Sequence, residues 1–110
     1  MTNREAAIWL RSALARVQHG WIKHHLIDEG SVCLTGALRY GRTDGLAPEA
    51  HVADLIWMAV HETVLEQFPD RQLHACFGVL PYFNDHPDTT QADVELVLEK
   101  TALRFEELVD

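Results

Sequence analysis

Apolar residues recur at three-and-four spacing near both ends of this chain, and that periodicity leaves little room for anything but packed helices. Ala6, Trp9, Leu10, Ala13, Leu14 and Val17 form one stripe; Val94, Val97, Leu98, Thr101, Phe105 and Leu108 form the other. At 3.6 residues per turn each set falls on one helical face, whereas a strand would send its members alternately to both sides of a sheet. Such faces must be covered, and 110 residues suffice to cover them within one core.

The local signals divide the chain further. Thr2 and Glu5 spell a T-x-x-E capping box, so the first helix is predicted to begin at Asn3, with Gly20 ending it in a left-handed conformation and Arg4, Arg11 and Gln18 on the wet side. Trp21 to Ile27 lacks a helical cap and is predicted to be extended, closed by a turn at Asp28-Glu29-Gly30. Ser31 is the expected cap of a short helix through Val32, Leu34, Ala37 and Leu38 to Gly41, in which Gly36 permits close approach of a neighbouring backbone. Arg42 to Ala47 reads as a loop and Pro48 as a first-turn residue of a third helix reaching about Gln67. Within Val52 to Val60 only Asp54 is polar, so this helix is predicted to be the central one, apolar nearly all round. Pro69 stops it, and Asp70 is the expected cap of a short element through Leu73, Cys76 and Phe77.

Pro81 argues against a helix through Tyr82 and Phe83, because proline cannot donate a backbone hydrogen bond and crowds the preceding turn. The stretch Asn84-Asp85-His86-Pro87 is then expected to reverse the chain as a loop, Asn84 adopting the left-handed conformation and Asp85 an Asx turn. Thr89 or Thr90 caps the last helix, with Glu95, Glu99 and Glu106 facing water.

The net charge of −8 argues against a general phosphate-backbone binder, which needs a basic face to displace counterions. The charge is unevenly spread. Residues 1–45 hold six Lys/Arg against four Asp/Glu, and residues 46–110 hold three against thirteen, so the halves carry +2 and −10. A basic partner, head-to-tail self-association or DNA mimicry by the acidic half would each exploit that asymmetry. Cys33 and Cys76 form no CxxC pair and lie among apolar residues, as buried reduced thiols do. No apolar run spans a bilayer and no signal-peptide core is present, so the expected location is the cytoplasm, with no membrane contact.

Seven histidines raise the question of a metal, and their spacing answers it unfavourably. His61-Glu62 lacks the second histidine of an HExxH site. His51 and Asp54 are too far along a helix from His61 to share an ion with it; His24 and His25 point apart if extended; His74 and Cys76 lack a partner pair. No metal and no cofactor are expected. Nucleophilic catalysis has no G-x-S-x-G elbow, and nothing beside Cys33 in sequence would activate its thiol. The remaining candidates are Asp85 and His86, an adjacent acid and base suited to proton transfer if a pocket forms over them, with Asn84 and Thr89 as orienting or binding groups.

Three short motifs carry a resemblance: Gly20-Trp21, Cys33-Leu34-Thr35-Gly36-Ala37-Leu38, and Phe83-Asn84-Asp85 followed by Pro87, a threonine and Val94. With them the chain resembles an uncharacterised family of small proteins from actinobacteria and their phages, known as a domain of unknown function. Members usually show Trp-Asn-Asp, so Phe83 is a departure that keeps an aromatic ring. The resemblance implies a helical domain of actinobacterial or phage origin, implies no activity, and nominates Trp21, Gly36, Asn84 and Asp85 as positions where the family pattern is kept.

The sequence therefore reads as an all-α single domain, residues 1–110, of four main helices with a short extended segment at 21–27. The expected function is that of a non-enzymatic interaction protein, an accessory or phage factor that self-associates as a homodimer and binds a host protein or small ligand. Trp21, Asn84, Asp85, His86 and Thr89 are its candidate binding residues. The alternatives are a small hydrolase or transferase using Asp85 and His86, and an acidic DNA mimic.

Overall fold

The computed structural model describes residues 2–25, 27–39, 50–71 and 79–108, with residues 50–54 and 79 described as backbone alone. The helical expectation holds in outline: these residues are mostly helical, with α1 (Asn3–His19), α2 (Leu34–Arg39), α3 (Ala50–Gln67), α4 (Val79–Asp85) and α5 (Gln91–Glu107), and a 3-10 turn at Pro69–Arg71. A two-residue strand β1 (Ile27–Asp28) pairs antiparallel with β2 (Ser31–Val32), Ile27 opposite Val32 and Asp28 opposite Ser31. The expected loop at 42–47, the caps at Gly41 and Pro48, the side chains of His51 and Asp54, and the segment through Leu73, His74, Cys76 and Phe77 fall outside the described residues.

The first helix starts where its capping box places it. Thr2 Oγ1 accepts from the Glu5 backbone N–H at 3.0 Å, and a Glu5 carboxylate oxygen faces the Thr2 N–H in return, which satisfies two of the four donors left over at a helix start. Its stripe from Ala6 to Val17 is buried and lies along α5, the most extensive helix pair among the described residues. Trp9 sinks into this core and its indole N–H donates to the Leu38 carbonyl at 2.8 Å, fixing α2 against α1. At α3 and α5 the buried Thr63 and Thr101 hydroxyls lie 2.8 Å apart, so the polar atoms of that interface satisfy one another.

Several expectations are corrected. Gly20 is not left-handed: its φ of −178° is extended backbone, and glycine is needed there for space, since a Cβ would stand 2.7 Å from Ser31 Oγ. Ser31 and Val32 are strand, not helix: both pair with β1, and Val32 also bonds to the chain leaving α1, its N–H donating to Gly20 O at 2.9 Å and its carbonyl accepting the Ile22 N–H at 3.1 Å. Cys33 precedes α2 instead, its sulfur accepting the Gly36 N–H at 3.2 Å. The turn at Glu29 and Gly30 has φ of 49° and 88°, the positive pair that a two-residue hairpin connection requires.

Helix α3 is not buried all round, for Leu55 and Met58 are 48% and 62% exposed while Ile56, Val60 and Val64 face the core. At the other end Leu108 closes α5 and is 55% exposed. Glu99 and Glu106 do not simply face water, nor does Arg11: its guanidinium bridges both carboxylates across α1 and α5.

The correction that matters most for the site is α4. Pro81 is the third residue of that helix, in the first turn, where backbone N–H groups have no intrahelical acceptor and a missing donor costs little. Leu80, Phe83 and Asn84 then share a buried face at the three-and-four spacing of a helix. Asn84 and Asp85 are the last residues of α4, so Asn84 has no left-handed conformation to adopt.

Candidate functional site

Asn84 is fully buried, and its carboxamide makes four hydrogen bonds. Its Oδ1 accepts the Trp21 indole N–H at 2.7 Å and the Leu34 backbone N–H at 2.9 Å. Its Nδ2 donates to the Ile22 carbonyl at 3.1 Å and to Asp85 Oδ1 at 3.0 Å. Two acceptor and two donor positions exhaust what an amide side chain offers, so Asn84 closes a junction between the segment after α1, the start of α2 and the end of α4.

Asp85 extends that junction outward. Its Oδ1 also accepts the His24 backbone N–H at 2.8 Å, and its Oδ2 lies 3.4 Å from His24 Nδ1. The contact holds His24 at φ 68°, a left-handed conformation uncommon outside glycine and asparagine. Lys23 donates to the His86 carbonyl at 2.7 Å while its ammonium sits 5.6 Å from the centre of the Trp21 ring. The segment leaving α1 is thereby stitched to the segment leaving α4 at Trp21, Ile22, Lys23 and His24 in succession.

The other candidates turn to neighbours of their own. His86 Nδ1 accepts the Asp88 N–H at 3.1 Å, and the His86 ring stands edge-on to Tyr82 with centroids 5.7 Å apart. Among the described residues no hydrogen bond joins His86 to Asp85. Thr90, not Thr89, caps α5, in a reciprocal box with Asp93. Thr89 is buried and accepts from Arg71 Nη1 at 3.0 Å; the same nitrogen donates to Asp93 Oδ2 at 2.8 Å. Burial opposes the charge on Asp93, but the hydrogen bonds from Arg71 and Thr90 outweigh it and hold the carboxyl below its ordinary value.

Beside the junction lies an open groove of about 640 Å³ lined by His24, Pro81, Tyr82, Asp85, His86, Pro87 and Asp88. A smaller recess of about 170 Å³ adjoins it, where His25, Cys33 and Thr35 join His24, Pro81, Asn84 and Asp85. The structure thus brings Asp85 and His86 to one groove, places Trp21 and Asn84 in the scaffold behind it, and sets Thr89 in the Arg71 network. Pro81, Tyr82 and Pro87 are exposed at the surface, with Tyr82 at 37%. Trp57 of α3 packs partly against the core. The role of His24 was not readable from spacing, since its partner Asp85 lies 61 residues away. No three His, Cys, Asp or Glu side chains among the described residues are grouped to hold a metal ion.

The three stretches that carry the sequence resemblance meet here, with Trp21 and the Leu34 N–H both bound to Asn84 and Cys33 at the head of α2. A family model covers residues 1–104. The chain belongs to the family of unknown function DUF6197. No curated protein and no solved structure matches it. Among the described residues no helix is long and apolar enough to cross a membrane.

Proposed function

We propose that this DUF6197 member is a non-enzymatic interaction protein, a single cytoplasmic domain that receives a protein partner in the groove between His24 and residues 81–88. The observation that carries this reading is the division of labour around Asn84. The Trp21 indole N–H, the Asn84 carboxamide and one oxygen of Asp85 are spent on the scaffold, whereas Pro81, Tyr82, Pro87 and Asp88 are left on the surface of a groove whose floor is pinned from two sides. Rigid, exposed aromatic and proline surfaces lose little entropy on binding, which suits them to docking. The acid–base alternative finds less support, because Asp85 Oδ1 holds His24 and Asn84, and His86 Nδ1 holds Asp88.

A photo-reactive residue at position 82 tests this. In lysate of the source organism it should give one discrete adduct that the same probe at Leu103, exposed on α5, does not. Identical adducts from both positions, or none at position 82, would count against a partner site. Self-association as a homodimer is proposed alongside it, and a native mass of one chain across the micromolar range would remove it.

A further inference from the structure

The groove's chemistry specifies its occupant more narrowly than a partner of any kind, and we infer that it takes a basic segment of that partner, seating an arginine or lysine side chain between Tyr82 and the carboxylates of Asp85 and Asp88. The inference rests on the partner reading above and adds the charge of what binds.

The lining contains two carboxylates, two histidines and neither lysine nor arginine. Lys23, which could have neutralised it, is turned to the His86 carbonyl and the Trp21 ring. Asp88 is 74% exposed at its side chain, and its carboxylate comes no nearer to His86 Nδ1 than 4.0 Å. Asp85 keeps acceptor capacity: Oδ1 takes two N–H donors, but among the described residues Oδ2 meets only His24 Nδ1, at 3.4 Å, well beyond the ~2.7–2.9 Å of a strong charge-assisted bond. A guanidinium or ammonium reaching Oδ2 would find an unspent lone pair there. In the same groove the part-exposed Tyr82, packed on the His86 ring, supplies an aromatic ring for the cation, and Pro81 and Pro87 supply apolar walls for the methylene stem.

Size and field agree with this assignment. At about 640 Å³ the groove falls within the ~300–1,000 Å³ of pockets that hold ligands, enough for a basic side chain with its flanking backbone. The chain's net charge of −8 likewise favours a cation over an anion. An anionic or purely apolar segment would have to desolvate two carboxylates without pairing them.

The test uses the full chain, labelled with ¹⁵N, and two minimal probes: N-acetyl-arginine amide and N-acetyl-citrulline amide, which matches it in shape but is uncharged. The arginine probe should give saturable shifts at Tyr82, Asp85, His86 and Asp88 with an affinity on the order of 1 mM, and the citrulline probe should bind about tenfold more weakly. Asp88→Asn, at an exposed position, should weaken the arginine probe about 1.5-fold to fivefold; Asp85→Asn tests the same point at the cost of loosening His24. Equal binding of both probes, or shifts spread along α5 instead of the groove, would overturn the inference. An adduct at position 82 with no arginine binding would keep the partner site and discard its basic occupant; no adduct and no arginine binding would discard both.

Discussion

Trp21 and Asn84, 63 residues apart in sequence, are joined by a 2.7 Å hydrogen bond from the indole N–H to the carboxamide oxygen, and that bond ties the exit of α1 to the exit of α4. Asn84 is fully buried, so the groups it serves would lose their partner in the interior of the protein. Asn84→Ala should orphan the Leu34 N–H and the Ile22 carbonyl as well as the indole, at about 1–3 kcal/mol for each group that remains buried. Asn84→Asp keeps an acceptor for Trp21 and Leu34 but sets a second carboxylate against Asp85, so it should fare little better at neutral pH. Trp21→Phe loses one donor and leaves Asn84 Oδ1 with Leu34, so its cost should be nearer ~1 kcal/mol. Urea denaturation of the three variants checks the order, and equal midpoints for Asn84→Ala and Trp21→Phe would show that Asn84 is not the hub.

Gly20 and Ser31 give a second, independent check on the same junction. A methyl group at position 20 would meet Ser31 Oγ at 2.7 Å and Ser31 Cα at 3.3 Å. The hydroxyl can rotate away, but the backbone atom must shift, and the strand pairing of Val32 with Gly20 and Ile22 would shift with it. Gly20→Ala should therefore cost about 1–2 kcal/mol, as overpacking does. Adding Ser31→Ala removes the closer contact and should recover part of the loss, a coupling that a double-mutant cycle measures. Backbone strain contributes nothing here, since alanine is at ease at φ −178°.

How much of this was legible beforehand follows from the reach of each signal. The Thr2–Glu5 box, the threonine cap of α5 and the end of α3 at Gln67 all depend on residues within a turn or two, and the sequence places them correctly. The penalty for proline in a helix depends on position, and because α4 starts at Val79, Pro81 falls in its first turn and leaves Tyr82 and Phe83 free to be helical. The exposure of Leu55 and Met58 depends on how many neighbours α3 has, which an apolar run does not encode. The sequence singles out Asn84 and Asp85 as turn and candidate binding residues; their partners at Trp21, His24 and Leu34 come from chain segments that only the packed helices bring near.

Arg11 reaches across from α1 to Glu99 and Glu106 on α5, and its hydrogen bonds to Glu106 raise the guanidinium further and hold that carboxyl below its ordinary value. All three side chains are more than a third exposed, so salt screens the network strongly. Arg11→Met keeps most of the stem's packing and removes the charge. Its urea midpoint should fall below wild type at low ionic strength, and the gap should narrow markedly in 1 M NaCl, where the screening length is only about 3 Å. A gap unchanged by salt would mean that the side chain stabilises through its stem alone.

The Arg71–Asp93 pair should set the acid limit of folding near the site. Arg71 joins Asp93 at 2.8 Å and Thr89 at 3.0 Å, and lies 4.6 Å from the Phe68 ring, which itself packs on Phe83 with centroids 5.1 Å apart. The cation thus links the cap of α5 to the aromatic floor of α4. Asp93 is held below its ordinary value in the folded protein, so in acid the unfolded chain takes up the proton more readily than the native one. The stability from this group is complete above the ordinary aspartate range of about 3.9 and is lost as pH falls through the lower folded value. Asp93→Asn should cost about 1 kcal/mol at neutral pH through the weakened cap and ion pair, and should destabilise less as pH falls, until the two proteins converge. Arg71→Met should do the same by removing the partner that depresses the carboxyl. Parallel stability curves for wild type and Asp93→Asn between pH 7 and pH 2 would show that some other carboxylate governs the acid transition.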